Sequence, residues 1–207
     1  MNSLLDIFGS VVIAGMLFMM IIKLNLFSNQ TGCASDNELK LIQNTKTLAE
    51  ILDYDFRKIG YKYNGTAIAI ADSNHFKFYA DMQPIDSLYH GTIDTVEYFI
   101  GDTLEMSGTM NTKDISLKRT IKQGNQIIES MAGPSLGLVR IKFSYLNAAK
   151  SIIDYSYLKS TPAYLDSIRY IKTEMWVQST EAVTDAFSDS SRYSITYWEF
   201  TIYPRNI

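Results

Sequence analysis

The residues that could carry chemistry are few and scattered. There are two histidines, His75 in an alternating run and His90 beside Gly91 in a loop. Neither has a cysteine or carboxylate at metal-ligand spacing, so no metal role follows from either. The one cysteine, Cys33, excludes an internal disulfide framework and a cysteine-rich cluster. No G-x-S-x-G elbow, Walker loop or dinucleotide fingerprint occurs. Asp53 and Asp55 flank Tyr54, but residues i and i+2 of a helix point to different faces. They form no acid pair and are expected on a solvated face. Asp185, Ser188, Asp189 and Ser190 gather hard oxygen donors without the pattern of a calcium loop, which reads as a solvated connection. Tyr193, Tyr197 and Tyr203 suit a half-buried sheet better than a saccharide platform. The expectation is a non-enzymatic protein without catalytic, cofactor-binding or metal-binding residues.

The elements around these residues are more informative. Ile7 to Ile22 carries no charge, and Asp6 and Lys23 bracket it. At 1.5 Å per residue the run covers roughly 24 Å, and Leu4, Leu5, Leu24, Leu26 and Phe27 bring it to the length of a ~30 Å hydrocarbon core. A polar patch follows from Ser28 to Asn37, with Gly32 as its weak point. Helical periodicity then resumes from Glu38 to Lys58. Leu39, Ile42, Ala49, Leu52, Phe56 and Ile59 recur at spacings of three and four or their multiples, which predicts one apolar stripe packed on sheet. The first half is apolar all round and the second on one side. The division expected is a membrane helix over residues 1–28 and a globular α+β domain over 29–207, with its helix at about 36–59.

Rival readings of the apolar run fit less well. A secretory signal would have a positive n-region and a small-residue cleavage site, whereas MNSLLD carries an acid. Gln30-Thr31-Gly32-Cys33 lacks the leucine of a lipoprotein box. Lys23 alone gives little orientation by the positive-inside rule. With 46% hydrophobic and 13% aromatic residues, the chain has material for one substantial core. A net charge of -3 and an isoelectric point near 5.4 argue against a nucleic-acid partner.

After Gly60, a helix stop with Arg57 and Lys58 in the last turn, the texture turns to short β-rich runs. Ala67–Ala71, His75–Ala80, Asp94–Ile100, Ile115–Lys122, Gln126–Met131, Gly137–Leu146, Ile168–Gln178 and Arg192–Tyr203 are predicted strands. Gly124-Asn125 predicts a tight hairpin. Asn147–Pro162 is ambiguous and too apolar for a free linker. No strand–helix–strand rhythm appears, so the sheet is expected to be antiparallel.

The stretch NSLLDIFGSVVIAGML resembles the opening of type IV pilins and pseudopilins: small or apolar residues, an acid, then an unbroken apolar helix. LAEILDYDFRKIGY resembles the helix end of minor pilins and of the J-type minor pseudopilins of type II secretion. HFKFYADM, DTVEYFI, ISLKRTI and EFTIYPRNI follow in that group's order. In that family a precursor is cut after a glycine and a glutamate stands fifth in the mature chain; here the acid is Asp6. Either a leader precedes the residues shown, or the protein is inserted without that processing.

The resemblance implies a structural subunit, anchored once in an inner membrane with its globular domain in the periplasm or outside the cell. It would assemble with other pilin-like subunits into a pilus or secretion pseudopilus. Asp6, with Leu4, Leu5 and Ile7, would be its assembly residues, and Leu39, Ile42, Leu52, Phe56 and Ile59 would pack helix on sheet. Asp6 is also expected near the first-turn amides, where the helix dipole favours an acid. The alternative is a tethered envelope module that recognises a saccharide or peptide with its β domain.

Overall fold

One long helix, α1, runs unbroken over Asn2–Arg57. The structure, a computed structural model, describes residues 2–83, 91–101, 111–132, 137–179, 182–184 and 191–207. His90 and the Asp185–Ser190 stretch lie outside them. The polar patch at Ser28–Asn37 does not interrupt the helix, where Thr31 Oγ1 donates back to Phe27 O at 2.9 Å.

Two antiparallel sheets follow, so the architecture is α+β. The first has five strands in sequence order: β1 Ile68–Ala71, β2 His75–Ala80, β3 Asp94–Ile100, β4 Leu117–Gln123 and β5 Gln126–Ala132. β4 and β5 form the hairpin expected at Gly124-Asn125, and Gly124 takes a positive φ of 57°. The second sheet contains β6 Leu138–Leu146 and β7 Tyr170–Gln178. Two short strands, β8 Val183–Thr184 and β9 Ser191–Arg192, pair with each other. β10 Ile195–Ile202 completes the second sheet, whose order is β10-β7-β6. The ambiguous stretch holds a short helix, α2 Tyr155–Ser160, capped by Asp154 accepting from Ser156 N at 2.8 Å. A 3-10 turn at Pro162–Ser167 leads into β7. The sheets join through Phe143 N donating to Ser73 O and Tyr145 Oη donating to Asp72 O, each at 2.9 Å.

Period-two alternation fills the core. Phe76 and Phe78 of β2, Val96 and Tyr98 of β3, and Ile141, Phe143 and Tyr145 of β6 all point inward. Phe56 of α1 stands among them with no exposed surface. Its ring meets Phe76, Tyr98, Phe143 and Phe78 edge-on, at centroid distances of 5.2, 5.7, 5.8 and 6.1 Å. Edge-to-face rings align the positive rim of one with the negative face of another, which adds to the value of burial. Past the helix, Gly60 adopts φ +76° and donates its N–H to Tyr79 O at 2.9 Å. A Cβ there would stand 2.6 Å from Asn206 O, so glycine lets the C-terminal tail close over the helix end.

Candidate assembly helix and the polar anchor at its base

No described residue from Leu4 to Lys40 is buried. Leu4 is 74% exposed and Ile7 61%; the side chain of Leu5 is not among those described. An 18-residue window of mean hydropathy 2.3 has none of its residues covered, so α1 is long and apolar enough to cross a membrane. Asp6 is exposed at the mouth of this surface. It stands beside the exposed apolar side chains of Leu4 and Ile7.

The domain half of α1 buries Leu41, Thr45, Leu48, Leu52, Asp55, Phe56 and Ile59. Leu52, Phe56 and Ile59 show no exposed surface, while Leu39 and Ile42 are 55% and 45% exposed. The predicted stripe thus fails at its N-terminal end, for a geometric reason. Each step of three residues turns back by about 60°, and at 3.6 residues per turn Leu39 and Ile59 end about 160° apart. Leu41 and Leu48 hold the positions that face the sheet.

Asp55 is the second correction. It is not solvated but buried, with 1% exposure, and the first sheet grips it. Arg119 of β4 donates from Nε to Oδ2 at 2.5 Å and from Nη2 to Oδ1 at 3.1 Å, and Tyr98 of β3 donates its hydroxyl to Oδ2. Arg119 Nη1 also donates to Glu129 of β5 at 2.9 Å. One helix carboxylate therefore ties β3 and β4 directly to α1, and Arg119 extends the tie to β5. Burial, reinforced by the Asp55 carboxylate, pushes the Tyr98 phenol well above its ordinary value, so it stays a donor. Burial works against the charge on Arg119, but its hydrogen bond to Asp55 and the surrounding negative charge outweigh that and raise it. The bidentate fork is the strong form of this contact. Beside it an open groove of about 340 Å³ is lined by Thr47, Glu50, Ile51, Tyr54, Asp55 and Arg119.

The sequence offered one signal for this cluster, because Arg119 sits in the alternating apolar row Ile115, Leu117, Arg119, Ile121 that runs into β4. A charge on the core side of a strand calls for a buried partner. Elsewhere, His75 Nε2 lies 2.8 Å from Glu97 Oε1 on the outer sheet face, and Lys122 reaches the same carboxylate at 3.2 Å. Burial works to raise the Glu97 carboxyl, but these hydrogen bonds win and hold it below its usual value. Cys33 is exposed. Among the described residues no group of three or more His, Cys, Asp and Glu is placed to hold a metal ion.

These features define an α+β protein whose single long helix has an uncovered apolar half. No protein-family model and no curated protein matches the sequence. Among solved structures the chain is similar to a type IV-like pilin from Thermus thermophilus. The identity is 8% and the TM-score 0.49, over 80% of this chain and 97% of that one.

Proposed function

We propose that the chain is a membrane-anchored structural subunit, of the kind represented by minor pilins and pseudopilins, that assembles with other pilin-like subunits through the N-terminal half of α1. The observation that carries this reading is the helix itself. From Ile7 to Phe27 the large apolar side chains are exposed on every side, while the attached domain closes its own core around Phe56. A surface of that extent is covered by lipid, by other helices, or by each in turn. The single span would sit in the inner membrane, with the β domain in the periplasm or outside the cell, and the assembly would serve a type II secretion pseudopilus or a pilus.

Asp6 is the assembly residue in this proposal, with Leu4, Leu5 and Ile7 beside it. A carboxylate in an apolar helix costs on the order of 2.5–3.5 kcal/mol at the bilayer centre and less near the interface. In a bundle, the amine of a neighbouring subunit would neutralise it and fix axial register, since a displaced neighbour would leave both charges unpaired. The test is crosslinking in membranes followed by capture of the full-length chain. Asp6→Ala should keep insertion and the β domain while lowering the crosslinked complex severalfold. Complex at the wild-type level would favour a tethered module that binds its ligand with the β domain.

A further inference from the structure

Asn64-Gly65 is the only place in the chain where glycine follows asparagine, and it falls in the link from α1 to β1. That link is anchored on both sides. Tyr63 N donates to Gly60 O and Asp81 N to Tyr61 O, each at 3.1 Å, and Tyr79 N donates to Ala67 O at 2.8 Å. Between these anchors no described residue hydrogen-bonds the backbone of Asn64, Gly65 or Thr66, nor the Asn64 carboxamide. Asn64 and Gly65 are both exposed.

Other asparagines lack one of these features. Asn125 is exposed in the β4–β5 hairpin, but Gln126 follows it. Asn111 is 2% exposed and donates to Gln178 Oε1 at 3.0 Å. Asn147 Oδ1 accepts from Ala149 N and Ser151 N, each at 3.0 Å. Space, not backbone angle, calls for glycine at 65, since its φ is not positive. A Cβ there would stand 3.0 Å from Tyr63 Cε1 and 3.1 Å from Cζ and Oη. That ring is stacked on Tyr79 with centroids 5.0 Å apart, so moving it would cost the contact. The residue after Asn64 therefore offers a backbone nitrogen with no side chain to hinder it.

We infer that Asn64 modifies itself: the Gly65 nitrogen attacks the Asn64 carboxamide, and the residue ends as a mixture of aspartate and isoaspartate. Gly65 N–H gives its proton to hydroxide, and the nitrogen bonds to Asn64 Cγ. The Cγ–Nδ2 bond breaks, and Nδ2 takes a proton from water and leaves as ammonia. What remains is a cyclic imide, which a second water opens. Cleavage between Gly65 N and Cγ gives aspartate. Cleavage between Gly65 N and the main-chain carbonyl carbon gives isoaspartate, whose backbone runs through Cγ. In sum, one amide and one water become one carboxylic acid and one ammonia, without oxidation or reduction. Both reacting groups belong to adjacent residues, so no entropy is lost in bringing them together. The slack between the anchors lets the carboxamide turn onto the nitrogen. Either product adds a negative charge to the link, and the iso form lengthens its backbone by a methylene.

The test incubates the full chain in detergent micelles at mildly alkaline pH and follows each asparagine by peptide mass mapping. Labelling with an isoaspartate-specific methyltransferase reads the iso form separately. Acid should accumulate at Asn64 severalfold faster than at Asn125, faster still as pH rises, with isoaspartate among the products. Gly65→Ala should slow it severalfold. Because a Cβ at 65 meets the Tyr63 ring, Asn64→Gln is the second variant. Its side chain is one methylene longer and closes a less favoured ring, so the product should vanish at an unchanged unfolding midpoint. The chain unfolded in urea supplies the rate without structure, and the folded chain should come within severalfold of it. A rate at Asn64 no higher than at Asn125, or aspartate without isoaspartate, would overturn the inference. So would an unchanged rate in Gly65→Ala, undiminished product in Asn64→Gln, or a folded rate far below that in urea.

Discussion

Ile7 to Phe27 and Leu41 to Ile59 belong to one continuous helix, yet they treat apolar side chains in opposite ways. In the first stretch the large side chains are 39% to 69% exposed, Phe8 at 69% and Leu24 at 61% among them. In the second, Leu52, Phe56 and Ile59 have no exposed surface. Helix geometry is common to both, so the difference is one of neighbours. The upper half has a sheet wrapped over one face; the lower half has only its own backbone bonds. Burial contributes about 25 cal/mol per Å² wherever the cover comes from, so the lower half carries a large unspent association energy. Four experiments can break or sharpen this contrast.

The largest expected effect comes from removing one side of it. A chain that starts at about Gly32 should be soluble, cooperatively folded and monomeric without detergent, whereas the full chain should require detergent or membrane. Static light scattering and a thermal melt of the fragment check this. Aggregation, or a melt without a cooperative transition, would mean that the domain depends on the lower half and that the two regions are not separable.

The buried half is then probed at its centre. Phe56→Ala empties a position touched by four aromatic rings and should lower stability by about 3–5 kcal/mol in denaturant unfolding. A change near 1 kcal/mol would show that the core collapses around the gap.

A similar loss is expected from a polar residue one position away. Asp55→Ala strands the Arg119 guanidinium in the interior and should cost about 3–5 kcal/mol, the range for breaking one side of a buried pair. Asp53→Ala removes an exposed i,i+4 pair with Arg57, 2.7 Å apart, and should stay within about 0.5 kcal/mol. Equal effects at the two aspartates would remove the polar anchor from the account of how sheet and helix are joined.

These pairs also show what could be read along the chain and what could not. β2 and β3 span the residues their alternation predicts, because period-two patterning is local and half-burial leaves a clean signal. The apolar run was legible for the same reason. Asp55 was legible only in its position, three residues after Leu52 and four before Ile59 on the apolar stripe, because the partners that bury it, Tyr98 and Arg119, arrive from distant strands. The pair Leu39 and Ile42 was misplaced because a pattern of threes and fours, followed over five turns, drifts around the helix.

The smallest effect on folding should come from Leu39 and Ile42 themselves. They lie past the apolar run, on the face of α1 that the domain leaves uncovered while Leu41 between them is buried, and remain about half exposed. Leu39→Ser with Ile42→Ser should therefore change the unfolding free energy of the soluble fragment by within about 0.5 kcal/mol. The same double change in the full chain is informative because these side chains continue the uncovered apolar surface outward past the polar patch. If neighbouring helices cover that surface in an assembly, the double variant should lower the membrane-crosslinked complex while leaving the fragment's stability untouched. A loss of fragment stability comparable to Phe56→Ala would instead return both residues to the core and erase the boundary between the two halves of the helix.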